Sequence, residues 1–264
     1  MSWLRRHLLL FAAVAVLLYM LIPNVVVAVF SFNDPVGRYN YTWTEFSTRA
    51  WTNPCGPQGL CDALGLSLRI GLIASLIATV FGTMIAFALG RYRFRARSGT
   101  NLLIFMPMAT PEVVMGSSLL TLFLMMGVSS GGLAITIAHI MFCVSFVVVA
   151  VKARVATLDP RLEEAAADLG ANPPQTFLRI TLPLAAPGIL AGALLAFSLS
   201  FDDYIITNFN ASPSSITFPM YVWGAAQRGA PVQVNVIGTV MFIAALAIVL
   251  VSQLLTSRRR RAAA

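Results

Sequence analysis

The sequence predicts an all-α integral membrane protein, with six transmembrane helices and a helix–turn–helix elbow held in the cytoplasm. Three observations predict it. Of 264 residues, 58% are hydrophobic and only 11% are charged, against roughly 25% charged in soluble domains; mean hydropathy is +0.81. Six apolar runs approach or exceed the ~20 residues needed to cross a bilayer. The basic residues gather on one side of those runs. The whole chain, 1–264, reads as a single membrane domain.

The spans lie at about 8–30, 65–90, 101–126, 133–151, 187–209 and 235–256. Span 8–30 follows Arg5 and Arg6, as a signal peptide would. Its run exceeds 20 residues and no small-x-small site follows, so it reads as a retained anchor. Pro23 interrupts this span, and Pro107 and Pro111 interrupt span 101–126, which a membrane helix tolerates where neighbours satisfy the freed carbonyls.

Orientation comes from charge. Arg5, Arg6, the arginines from Arg91 to Arg97, Lys152, Arg154, Arg161, Arg179 and Arg258 to Arg261 place 14 of 18 basic residues on one side. Both termini are therefore expected in the cytoplasm. The net charge of +8 follows from this bias and from anionic headgroups. Scattered among loops, it does not describe a nucleic-acid surface. The loop 31–64 is external. It carries Tyr39, Tyr41, Trp43 and Trp51, suited to an external protein or to the headgroup level. Cys55 and Cys61 in it are either a disulfide or two free thiols. Cys143 lies within a span and reads as packing. His7 and His139 are isolated, and no zinc-type cluster exists.

The segment 152–186 is too polar for the bilayer. Asp159-Pro160 provides a helix start, with Asp as cap and Pro at the first position. Leu158, Leu162, Ala165, Ala166 and Leu169 form one apolar stripe, and Gly170 ends the helix. Asn172-Pro173 opens a second short helix, which Pro183 and Pro187 are expected to end. An interfacial linker accounts for the stripe alone. It does not account for Glu164-Ala165-Ala166, three residues, Gly170, nine residues, then Ile180-x-Leu182-Pro183. That spacing resembles the cytoplasmic loop of binding-protein-dependent ABC importer permeases of type I, and the six spans extend the resemblance over most of the chain.

The resemblance implies that the chain is a permease subunit in a bacterial cytoplasmic membrane. Partners would be an ABC ATPase dimer, a second homologous permease, most simply as a heterodimer, and an external substrate-binding protein. The small alanines would permit close approach, Gly170 a sharp turn, and Glu164 a specific bridge. ATP and Mg would be bound by the ATPase. This chain holds no cofactor and is not an enzyme, since its only lysine, Lys152, is not in a phosphate-binding loop of the Gly-x4-Gly-Lys type.

Three acids fall within apolar runs: Glu112, Asp202 and Asp203. Charges at that depth face a cavity or a partner. Ser200-Phe201-Asp202-Asp203-Tyr204 and Thr110-Pro111-Glu112 resemble the corresponding segments of spermidine/putrescine importer permeases. Polyamines are polycations. Carboxylates would pair with their ammonium groups, and Tyr204 would offer cation–π contact. Adjacent helical residues point about 100° apart, so one of Asp202 and Asp203 is expected to face the passage fully. The competing readings are that the pair caps a helix break or bridges to the partner permease, and that Glu112 answers a helix dipole. The tract Met106, Met108, Met115, Met125 and Met126 reads as flexible packing rather than a metal path. Other solutes (phosphonate, iron, sulfate) remain open, as does a stand-alone channel or secondary transporter, although no internal repeat is evident. An intramembrane serine protease would have only Gly116-Ser117-Ser118 and His139 to work with.

Overall fold

A computed structural model of the chain describes residues 3–37, 39–92 and 94–262, with side chains of 3–6, 249 and 251–262 left aside. Of the arginines used in the charge argument, Arg93 lies outside the described residues, and Arg5, Arg6 and Arg258 to Arg261 are described in their backbone alone. The described chain is helical, with one isolated antiparallel bridge between Asn33 and Phe46. In order, the helices are α1 (Trp3–Phe30), α2 (Arg49–Thr52), α3 (Leu60–Arg91), α4 (Arg97–Ala109), α5 (Glu112–Met125) and α6 (Gly132–Val155). Then come α7 (Arg161–Asp168), α8 (Pro173–Thr176), a π-helical turn (Phe177–Thr181), α9 (Leu182–Asp202), α10 (Ile205–Asn210), α11 (Phe218–Arg228) and α12 (Val232–Ala262).

Four helical stretches are long and apolar enough to cross a membrane: His7–Phe30, Leu60–Arg91, Gly132–Val155 and Pro173–Asp202. A fifth is possible only as the pair α4 and α5, which is bent by 107°. Val232–Ile248 is a shorter apolar helix among the described residues. The expected run 101–126 is thus not one straight span. Its break falls at Thr110-Pro111, where Thr110 is extended (ψ 132°). The proline ring forbids the helical conformation in the residue before it and brings no N–H of its own. Pro23 does not interrupt α1, and Pro107 sits within α4.

The expected boundary at 187 is also displaced. Pro183 and Pro187 do not end the second elbow helix. The helix runs from Pro173 through the π turn into α9. The Leu182 N–H bonds the Phe177 carbonyl, so the turn widens just ahead of Pro183, where a proline ring would otherwise meet an α-helical carbonyl. The helix ends at Asp202, because Asp203 is extended (ψ 126°), and α10 follows as a separate piece. The expected run 187–209 is therefore two helices.

The chain divides into two compact units. One comprises 1–61 and 222–264. In it α1 packs on α12, and α2 also packs on α12 through Ala50, Trp51, Val232 and Val236. The loop that follows α1 is folded around Asn33. Its side chain donates to Asn40 Oδ1 (2.6 Å) and the Thr42 carbonyl (2.9 Å), and accepts from the Thr44 N–H (2.8 Å). Phe32 stacks between Phe46 and Trp51. Cys55 and Cys61 are joined in a disulfide, with their Cα atoms 5.4 Å apart.

The second unit, 62–221, holds the main core. Residues from α3, α5, α6, α9 and α10 meet there, including Ala78, Leu89, Phe123, Val147, Ala196 and Ile206. Small residues let α6 and α9 come close. A Cβ at Gly188 would run into the side chain of Arg154, whose Nε donates to the Leu184 carbonyl at 2.9 Å. α5 packs on α10, with Gly116 against Phe209 and Ile206.

Candidate functional site: the elbow and the break in α9

Two regions of the second unit carry the predicted residues. The first is the elbow. The Asp159 carboxylate accepts the Arg161 N–H at 3.0 Å just ahead of α7, whose N-cap position is Pro160 rather than the expected Asp159. The helix closes in the double hydrogen bond of a Schellman turn: Gly170 N–H to the Ala167 carbonyl (2.9 Å) and Ala171 N–H to the Ala166 carbonyl (3.0 Å). Gly170 has φ +83°, the left-handed region that costs other L-residues about 1–2 kcal/mol. Asn172 and Gln175 then form a reciprocal capping box at α8, which satisfies two otherwise unpaired N–H groups.

The apolar stripe of α7 is left open. Leu169 is 89% and Leu162 46% exposed, whereas Ala166 is buried. Glu164 and Ala165 are also exposed. The charge that holds the elbow in place is its neighbour Glu163. Its Oε1 pairs with Arg91 of α3 at 3.0 Å and accepts the Thr181 hydroxyl at 2.8 Å. A cleft of about 740 Å³ lies beside this clasp, lined by Phe87, Arg91, Glu163, Phe177 and Thr181 among others. Ile180 and Leu182 are half-buried along the π turn and the start of α9, and Pro183 is exposed. Sequence reasoning passed over Glu163 as one polar position among several. The adjacent acids were the available signal, because two neighbours on a helix cannot both face the same way.

The second region is the break after α9. Asp203 is buried, and four donors converge on its carboxylate. Oδ1 accepts the Ile206 N–H (3.3 Å). Oδ2 accepts the Thr207 N–H (2.7 Å) and the Thr207 hydroxyl (2.8 Å), and lies 3.3 Å from His139 Nε2. The carboxylate therefore caps α10, one of the readings left open above. His139 of α6 is 1% exposed and is not isolated. Nδ1 lies 2.7 Å from Ser200 Oγ and Nε2 3.0 Å from Thr207 Oγ1. With hydrogen on Nε2, the imidazole donates toward Asp203 and Thr207 and accepts the Ser200 hydroxyl, so every group has a partner.

Asp202 stands next to this buried set and is itself exposed. No basic side chain reaches it among the described residues. Tyr204 is half-buried between α9 and α10. Glu112 opens the first turn of α5 and is exposed, so a dipole interaction at that helix start is available to it. The structure brings Asp202, Asp203 and Tyr204 together by sequence alone. Packing of α5 on α10 brings the helix that begins at Glu112 alongside them. Ser200, His139 and Asp203 are the residue types of a serine-protease triad. Ser200 is only 4% exposed, so no carbonyl can approach it.

The chain is similar to known transport proteins. Residues 70–261 match the family described as "Binding-protein-dependent transport system inner membrane component". The spermidine/putrescine transport system permease protein PotC of Haemophilus influenzae is 35% identical over 240 residues, covering 91% of this chain and 93% of that protein. PotC of Escherichia coli is 35% identical over 241 residues, covering 91% and 90%. The putrescine transport system permease protein PotI of Escherichia coli is 36% identical over 226 residues, covering 83% and 80%. Among solved structures, a bacterial ABC transporter that imports alginate aligns with TM-score 0.67 at 17% identity, covering 97% of this chain and 98% of that one. The helical architecture is therefore that of an ABC importer's membrane subunit, and by the family match over 70–261 the chain belongs to the inner membrane components of binding-protein-dependent transport systems.

Proposed function

We propose that this chain forms half of the passage of an ATP-driven polyamine importer and docks on a separate ATPase through α7. The observation that carries the docking is the combination at the elbow. α7 is fixed from behind by Glu163 and presents Leu162, Leu169 and Glu164 outward. Apolar side chains on a helix too polar for lipid need another covering surface. An ATPase dimer is that surface in this reading, and Glu164, Ala165, Ala166, Gly170, Ile180, Leu182 and Pro183 form the coupling segment. ATP and Mg are held by the ATPase. A second homologous permease supplies the other half of the passage, and an external binding protein delivers the substrate.

The similarity to spermidine and putrescine permeases over about nine-tenths of the chain supports a polycation as substrate. Exposed acids at Asp202 and Glu112, with Tyr204 between α9 and α10, are suited to ammonium groups. Asp203 stands behind Asp202 in this arrangement. The Cys55–Cys61 disulfide suits an oxidising compartment, which supports an external loop 31–64 and cytoplasmic termini.

The test is uptake of labelled spermidine and putrescine by cells without their own importer, carrying this chain with its ATPase, partner permease and binding protein. Saturable, ATP-dependent uptake that falls at least tenfold in Asp202→Asn is expected. A complex that assembles and hydrolyses ATP yet takes up neither amine overturns the substrate assignment.

A further inference from the structure

The acidic pair at the break in α9 is asymmetric. Asp202 is exposed, while the Asp203 carboxylate has accepted four hydrogen bonds from Ile206, Thr207 and His139. Three of the four come from the chain just after it, and they cap α10 whatever else is nearby. The fourth comes from α6, 64 residues away. His139 is itself aimed by Ser200, one turn before the break. A carboxylate at membrane depth without compensation draws in any cation that can reach it. A buried carboxylate already shared among N–H and O–H donors has less to offer an ammonium group than an exposed one.

We infer that His139 is the positioning residue that withdraws Asp203 from the passage, leaving Asp202 as the one carboxylate of the pair presented to a polycation. The inference rests on the polycation reading above. One carboxylate holds an ammonium group weakly enough to release it. Two adjacent uncompensated carboxylates would hold it and slow its passage, since transport requires a site that lets go as well as one that binds. His139 therefore acts on turnover and selectivity through Asp203, without itself touching the substrate.

The experiment measures equilibrium binding of labelled spermidine to the complete ATPase–permease complex in nanodiscs, with the binding protein omitted, alongside the maximal uptake rate with it present. Asp202→Asn is expected to weaken binding at least tenfold. Asp203→Asn, nearly the same shape and still able to accept the Thr207 N–H through its one amide oxygen, is expected to change it less than twofold. His139→Leu is expected to tighten binding severalfold and to slow maximal uptake about tenfold. His139→Leu with Asp203→Asn is expected to return both toward wild type, and His139→Gln, which keeps a donor, to stay near wild type. A purely structural histidine would lower assembly and uptake without tightening binding. Should His139→Leu fail to assemble, Asp203→Asn alone decides: a tenfold loss of binding in that variant overturns the inference. No effect of Asp202→Asn on binding or uptake would instead overturn the polycation reading itself.

Discussion

The elbow and the break after α9 are both interruptions of a helix in the same unit, and they are closed in opposite ways. At the elbow, backbone groups close the end of α7 at Gly170 and the side chains of the Asn172–Gln175 box serve α8, so Leu162, Glu164 and Leu169 of the α7 segment stay free to face outward. At the break, side chains do the closing. Asp203, Thr207, His139 and Ser200 are consumed in satisfying one another and the start of α10. The face proposed to dock keeps its side chains uncommitted. The bend inside an apolar run spends them, because buried polar groups there have no water to turn to.

The comparison can be broken by substitution. The largest expected stability loss is at the break. Asp203→Ala should cost roughly 2–4 kcal/mol, since it strands the N–H groups of α10 and takes from His139 and the Thr207 hydroxyl the carboxylate they share, and should lower the thermal midpoint of the purified complex. A loss below about 1 kcal/mol would mean the break is held by packing alone. Gly170→Val should cost about 1–2 kcal/mol through its left-handed backbone. It should also abolish uptake-coupled ATP hydrolysis, measured as the ratio of ATP hydrolysed to amine imported.

Glu163→Gln keeps an acceptor for Thr181 but loses the charge pairing with Arg91. With both side chains partly exposed, about 0.5–1 kcal/mol is expected, with loosened coupling. The smallest stability effect belongs to Glu164→Gln, within about 0.5 kcal/mol as for an exposed surface position. Its uptake should nevertheless fall, and an unchanged rate would remove Glu164 from the docking face.

Much of the elbow was legible because its signals are local. Asp159, Gly170 and Asn172 act within three or four residues of where they stand; Gly170 and Asn172 sit where their capping roles require, while the cap position of α7 falls one residue later than expected, on Pro160. The Thr110-Pro111 break was legible in position, since proline acts on the residue before it, but the 107° angle depends on what α5 packs against. The Asp203 set was not legible. The residue that completes it lies 64 positions away on α6, and a histidine inside an apolar run carries no mark of its partner. The π turn was hidden for another reason. Two prolines ordinarily predict an ending, and only the widened ladder ahead of Pro183 lets the helix continue. Asn33, which organises the loop after α1, looked like any loop asparagine.

That π turn fixes a phase. A π turn holds one residue more than an α turn needs, and one residue is about 100° of rotation. Every side chain from Leu182 to Asp202 is therefore rotated relative to α8 by that angle, on a shaft about 30 Å long at 1.5 Å per residue. The face that α8 offers at the elbow and the face on which Asp202 emerges are set by this single inserted residue. Straightening Phe177–Thr181 into a plain α turn without removing a residue would swing Asp202 about a quarter turn around the axis, whereas deleting one position there would leave Asp202 on its present face.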